Sequence, residues 1–437
     1  MTRFAPTALA AIALGALAAG PAGAQDVGEI VANDTGDTAW ILAASALVLM
    51  MTLPGLALFY GGLVRAKNVL SVALQIGAVA SVVSVMWIVV GYTLAFGNAT
   101  NGWIGDGRAW MLIDLTNVRL GTTIPESTFV LFQMTFAIIT PALMIGAWVD
   151  RARFSWVVIF CALWSLVVYA PVAHWIWGGG WLASSFGTVD FAGGLVVHAT
   201  AGVSALVVAV MMGARRGFPD KPMIPHSPAL TMVGAALLWV GWFGFNGGSA
   251  LAATDDASSA IINTHGAAAT AALVWLVIER IGFGKTTMVG WATGAIAGLA
   301  TVTPAAGYIS PGAAIMFGAF ASVVCYGAVL QIRKWGIDDS LDVFAVHGVG
   351  GILGSLLLGL FMASTLGGTG YPEGMTPLGQ IGAQAVGVAA VCLWSAVMTA
   401  ILALGIGILS PMRVKKKDEI EGLDISSHGE RAWHLSD

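Results

Sequence analysis

Two histidines, His198 and His347, each stand inside a long uncharged run. Their settings echo one another: Asp190-Phe-Ala-Gly-Gly-Leu-Val-Val-His198 against Asp342-Val-Phe-Ala-Val-His347-Gly. An ionisable side chain in an apolar helix is costly unless it finds a partner, so both positions are candidates for function. Taken alone, the residues allow two arrangements: the imidazoles bond separately to nearby carbonyls, or they meet and share one hydrogen bond. A buried pair is expected to be net neutral, because adjacent cations repel and dry surroundings disfavour charge. A zinc centre fits poorly, since no Cys, Asp or Glu lies mid-run to complete a ligand set. An intramembrane hydrolase fits no better, because the spans hold no Ser/His/Asp set. No cofactor is implied.

A second group of residues suits a small cation. Trp177 precedes Gly178-Gly179-Gly180, Phe132 and Phe136 stand in the third apolar run, and Trp242, Phe243, Phe245 and Ser249 crowd a glycine-rich one. Aromatic belts at membrane interfaces are ordinary. Trp177 and the Phe245/Ser249 pair are less so, because they combine a cation–π face with a hydrogen-bond acceptor, worth roughly 2 kcal/mol when desolvated. Asp190 reads equally well as a helix cap and as a source of negative potential in an outer vestibule. Asp342 reads as a cap. His174 and His265 fall near span ends, and His226, His428 and His434 in a loop and the tail.

Membrane helices must position these side chains. Of 437 residues 57% are hydrophobic and 10% charged, with a mean hydropathy of +0.85. A soluble protein carries about 25% charged residues, so so few charges imply a lipid-embedded body. The net charge of −4 and the lack of a basic face exclude nucleic acid as a partner. Cys161, Cys325 and Cys392 all fall in apolar runs, which argues against a disulfide framework. Residues 1–24 have the pattern of a cleaved signal peptide: Arg3, an apolar stretch, then Ala22-Gly23-Ala24. Residues 25–39 are then an external segment, and the charged stretch 411–437 a solvated cytoplasmic tail.

A crossing helix needs about 20 apolar residues. Eleven runs qualify: 40–64, 69–96, 127–149, 154–173, 191–214, 227–253, 257–278, 286–303, 308–332, 343–366 and 378–409. With the N-terminus external, 16 of 19 basic residues fall on the cytoplasmic side, as the positive-inside rule requires. Arg108 and Arg119 are external and Arg3 leaves with the signal peptide. The expected fold is therefore an all-α polytopic membrane protein of eleven transmembrane helices, an inverted 5+5 repeat (about 40–214 and 227–366) plus one final helix. Five being odd, the second half enters upside down, and such repeats place their site near the midplane. Phe59-Tyr-Gly-Gly62 and Phe245-Asn-Gly-Gly248 are a further echo between halves, and Gly244, Gly248 and Gly290, Gly294, Gly298 are packing positions.

Long stretches make the sequence similar to the Amt/Mep/Rh ammonium transporter family, in its bacterial and plant Amt branch. They are Pro54-Gly-Leu-Ala-Leu-Phe-Tyr-Gly-Gly62, Asp190-Phe-Ala-Gly-Gly194 with His198, Gly241-Trp-Phe-Gly-Phe-Asn246, Thr303-Pro-Ala-Ala-Gly-Tyr308, Asp342-Val-Phe-Ala-Val-His-Gly348 and Glu421-Gly-Leu-Asp-Ile-Ser-Ser-His-Gly-Glu430. The resemblance covers nearly the whole mature chain. It implies an ammonium transporter fold in which Trp177, Ser249 and Phe136 recruit ammonium, Phe136 and Phe245 stack as a gate, and His198 and His347 are twin pore histidines. Asp190 matches the aspartate near the external site. The resemblance also implies methylammonium as a substrate analogue and a homotrimer in the bacterial inner membrane, with a PII-type signalling protein at the cytoplasmic face. Pro141 after Thr140 and His265 after Asn263-Thr264 depart from the pattern. The competing class is an ammonium sensor that signals through the tail.

Overall fold

The computed structural model describes residues 33–433 apart from Thr100 and Pro222. The expected signal segment 1–24 and residues 25–32 lie outside them. Among the described residues, ten helices are long and apolar enough to cross a membrane: α1 (Thr35–Leu63), α2 (Ala66–Phe96), α3 (Glu126–Ala147), α4 (Phe154–Phe186, interrupted at 177–180), α5 (Gly194–Met212), α6 (Pro228–Gly248), α7 (Asp255–Phe283), α9 (Pro311–Lys334), α10 (Phe344–Phe361) and α11 (Pro377–Leu409). The eighth expected span is a shorter apolar helix, α8 (Met288–Val302). Its chain leaves the helix at Thr303-Pro304 and continues in turns through Tyr308. Thr303, Ala305 and Ala306 are fully buried there, and irregular backbone at membrane depth is tolerable only when enclosed by protein.

Several helix starts follow directly from sequence. Ser227-Pro228, Ser310-Pro311 and Thr376-Pro377 open α6, α9 and α11, the hydroxyl accepting a backbone N–H from within the first turn. Proline costs nothing at the first helical position, where its missing N–H would be unpaired anyway.

Helices interlock through small residues, both between the two halves and within the second. Gly244 and Gly248 of α6 lie against Ala44 of α1, and Gly298 of α8 against Ala271 of α7, as the packing reading requires. A close crossing joins α5 to α10. A Cβ on Gly202 would overlap the backbone of Gly348, and one on Gly351 would sit 2.8 Å from the Cβ of His198. Each glycine follows its own half's histidine by four residues, so each lies one helical turn beyond it. Both histidines also occupy a π-helical turn at the start of their helices, Gly194–Ala199 and Phe344–Gly348. Such turns appear frequently at functional sites.

On the face that carries the tail, charges are buried in a shared lattice. Arg215 grips Asp338 through two nitrogens, at 2.8 and 2.9 Å, while Asp150 reaches Arg65 at 3.0 Å and Arg215 at 3.8 Å. Arg151 is 0% exposed and donates to Ser340 Oγ and the Asp338 carbonyl. Burial would raise the Asp338 carboxyl, yet Arg215 and Arg151 hold it below the ordinary range. The network ties the loops after α1, α3, α5 and α9 together.

The tail is not free in solvent as its composition suggests. It forms two short helices, α12 (Lys416–Glu421) and α13 (Leu423–His428), and docks. Val414 N–H donates to Arg151 O, and Glu419 accepts from Arg413 and from the Arg216 backbone. Asp424 Oδ1 accepts from Ser71 N–H at 2.8 Å, and Leu423 N–H donates to Asn68 Oδ1 at 2.7 Å. The first turn of α2 has no cap from its own N-cap side chain, and Asp424 supplies one from the other end of the chain. The exposed lysines account for the polar composition while Glu419, Leu423 and Asp424 turn inward.

Gly202→Ala is expected to push α5 from α10 and lower the yield of monodisperse protein in detergent. Gly382→Ala in α11, where a Cβ would meet nothing within 4 Å, serves as control and should behave as wild type. Equal behaviour of the two variants on size exclusion would contradict the close-crossing account.

Candidate functional site

A line of side chains runs from the Trp177 face to the tail face. It begins in a cavity of about 260 Å³ lined by Trp177, Phe136 and Ser249 among others. Trp177 sits where α4 breaks at its glycine run. Its indole N–H donates to the Asp190 carbonyl at 2.7 Å, which fixes the ring and leaves its face available. Ser249, just past the end of α6, donates its hydroxyl to Phe245 O at 2.9 Å. Its oxygen lone pairs therefore remain available for a donor in the cavity. Phe136 meets Trp177 edge-on, at 5.8 Å and 88°.

Beneath the cavity Phe136 stacks on Phe245 with ring centres 4.2 Å apart and planes at 27°. Both rings are buried. They lie between that cavity, which Phe136 lines, and the space beside the histidines, which Phe245 lines. Phe132 braces Phe136 edge-on at 4.9 Å.

Below the stacked rings the two histidines meet. Their Nδ1 atoms are 3.3 Å apart, and the rings lie at 21° with centres 5.2 Å apart. The shared-bond arrangement is the one observed. With one proton between the two Nδ1 atoms, the donor ring carries a bare Nε2 and the acceptor ring an Nε2–H. The pair therefore offers the pore one acceptor and one donor. His198 Nε2 has no hydrogen-bond partner among the described residues. The space beside the pair is about 10 Å³, walled by Leu56, Ile139, Leu143, Leu238 and Ile296, room for about one water-sized molecule. His347 then opens into a cavity of about 270 Å³ on the tail side, which also holds Tyr60, Arg333 and Asp342.

Asp190 has a defined place. Its Oδ1 accepts from Gly193 and Gly194 N–H and its Oδ2 from Leu195 and Val196 N–H, all within 3.0 Å. Both oxygens are spent on the first turn of α5, so the capping reading holds and the carboxylate does not face the cavity. Asp342 does not cap α10. It adopts a left-handed backbone (φ 58°) and pairs with Arg333 at 2.8 Å. Asp339 takes the capping role, accepting from Phe344 N–H at 2.7 Å. Burial and the neighbouring Asp342 push its carboxyl up to about 7. Asp339 precedes His347 by eight residues, as Asp190 precedes His198, a spacing that identifies the true pair.

Sequence reasoning missed a residue beside the histidine pair. Trp242, grouped with the interfacial aromatics, stacks on His198 at 5.4 Å and 24° and donates to Thr303 Oγ1 at 2.9 Å. Phe243 turns the other way, toward His265 at 5.9 Å. His174 is buried and bonded to Ala95 O. A larger cavity of about 520 Å³ lies among the loops between α2 and α3 and touches the line only at Trp177.

The chain is similar to known proteins along most of its length. It is 46% identical to an ammonium transporter of Aquifex aeolicus (strain VF5) over 409 residues, 92% of this chain and 94% of that protein. With an ammonium transporter of Bacillus subtilis (strain 168) the identity is 42%, covering 92% and 99%. Among solved structures, Mep2 of Saccharomyces cerevisiae superposes with a TM-score of 0.82 at 35% identity, covering 91% of this chain and 93% of that one. A structure described as a sensor Amt protein gives 0.84 at 30% identity, covering 90% and 98%. The sequence signature of the Ammonium Transporter Family spans residues 39–433, and this multi-pass membrane protein belongs to that family.

Proposed function

We propose that this chain moves ammonium across a membrane by the route its side chains mark out. Ammonium is recruited between the Trp177 face, the Phe136 edge and the Ser249 oxygen. It gives up a proton to water at or beneath the stacked phenylalanines, and ammonia passes along the histidine pair into the tail-side cavity, where water returns a proton to it. The observation that carries this reading is the 3.3 Å imidazole contact within a narrow apolar passage. Ammonia can both donate to and accept from such a pair. Potassium can do neither, and it would shed water in a passage without the carbonyl rings of a potassium filter. Leaving a bare ion there would cost several kcal/mol.

In this reading the tail face is cytoplasmic, which the distribution of basic residues supports, and the membrane is a bacterial inner membrane. In the same reading the protein works as a homotrimer with one pore per subunit, accepts methylammonium as an analogue and offers its tail face to a PII-type partner. His198→Ala or His347→Ala should abolish or degrade ammonium selectivity in liposomes pulsed with ammonium or potassium. Full ammonium activity with unaltered potassium exclusion in both variants would remove the pair from the mechanism.

A second reading, an ammonium sensor, is favoured by the docked tail and by the likeness to a sensor Amt protein. If the tail reports occupancy, hydrogen exchange at residues 416–428 should change by severalfold when ammonium is added to the purified protein. Identical exchange with and without ammonium, alongside saturable transport, leaves transport alone.

A further inference from the structure

One polar side chain in the Trp177 cavity has no place in the recruitment site as the sequence assigned it. Gln133 stands in α3 one turn before Phe136 and lines the same cavity as Trp177 and Ser249. It is 7% exposed, and its Oε1 has no hydrogen-bond partner among the described residues. A buried amide oxygen without a donor is unfavourable, and such groups in native proteins call for a ligand, an ion or a water. Gln133 and Ser249 are the polar side chains in a lining otherwise aromatic or aliphatic, and Ser249 has already spent its hydrogen on Phe245 O. A primary amide rotates about its last bond at little cost and presents its oxygen to a cation.

We propose that Gln133 is a further ligand of the cation site, its side-chain oxygen accepting one N–H of ammonium and setting the preference for ammonium over its methylated analogue. This inference rests on the transport reading above. Ammonium carries four N–H donors in a tetrahedron. The Ser249 oxygen takes one, and the Trp177 and Phe136 rings face others as cation–π surfaces. Gln133 approaches from α3, a different helix, and supplies a second true acceptor. Methylammonium keeps three donors, but an orientation that turns its methyl group toward Gln133 presents no N–H there, so averaged over orientations it loses less when that acceptor is removed. The position is well chosen for discrimination, since a site built to bond an N–H rejects an analogue that lacks it.

The test measures half-saturating concentrations from charge-sensitive recordings on liposomes containing wild type, Gln133→Met or Gln133→Glu. Methionine keeps the approximate length and removes the acceptor; glutamate keeps the acceptor. Gln133→Met should raise the ammonium value about tenfold, the factor expected for losing a hydrogen bond to a charged donor, and the methylammonium value less than about threefold. Gln133→Glu should stay at or below the wild-type value for ammonium. Unchanged ammonium half-saturation in Gln133→Met, or equal weakening of both substrates, overturns the proposal. Should the methionine variant fail to insert, Gln133→Glu decides alone, and a raised ammonium value overturns the proposal. A wild-type protein that gives neither a saturable electrical response nor saturable uptake of labelled methylammonium into the liposomes overturns the transport reading and this inference with it.

Discussion

The close crossing of α5 and α10 governs the rest of the structure. Because Gly202 and Gly351 carry no side chain, the two helices approach until each histidine lies against the other helix's backbone. That approach sets the 3.3 Å separation of the Nδ1 atoms. The asymmetry of the shared proton follows, because two Nδ1 atoms in contact can hold only one. Aspartates eight residues upstream cap both helices and hold the first turns at the depth the crossing demands. Trp242 stacks on His198 and helps hold its ring in place.

Dryness gives the arrangement its chemical meaning. A hydrogen bond between two neutral rings is weak in water and considerably stronger where water is excluded. The stacked Phe136 and Phe245 close one end, and the aliphatic walls leave space for about one small molecule. Before that closure, the Trp177 cavity combines aromatic faces with the Ser249 oxygen. Beyond it the pathway offers single donors and acceptors and no full charge until Arg333 and Asp342. Charge is welcomed at the entrance and penalised inside, so what crosses must be able to arrive charged and proceed neutral.

Much of this was legible in the chain. An ionisable residue in an apolar run is conspicuous, and His198 and His347 stood out for that reason. The Ser-Pro and Thr-Pro starts of α6, α9 and α11 announced themselves through local chemistry. Trp177 and the Phe245/Ser249 pair stood out as a cation–π face with an acceptor, but the part played by Phe136 and the gate came from family likeness, since aromatic residues near a span end look alike whether they face lipid or pore. Trp242 shows why: nothing in its neighbours distinguishes it from Phe243, and rotation about the helix alone decides. The Asp342 assignment failed because the Asp-Val-Phe-Ala-Val-His echo drew attention to the wrong carboxylate, while the eight-residue spacing pointed to Asp339. Tail docking was hidden by composition. Its lysines advertise solvent, and the three residues that anchor it (Glu419, Leu423, Asp424) find partners far away in sequence. The eighth span was read to 303, and Thr303-Pro304 ends it one residue earlier.

The central claim is that one proton joins the two imidazoles inside a dry passage. Solid-state NMR of the protein in lipid, with histidine ring nitrogens labelled with 15N, reads that proton directly. The account predicts, near neutral pH, one protonated and one bare Nδ1 among the pore rings, with a scalar coupling between them that vanishes in His347→Ala. Two rings each protonated at Nε2 alone, with no coupling between their Nδ1 atoms, would contradict it.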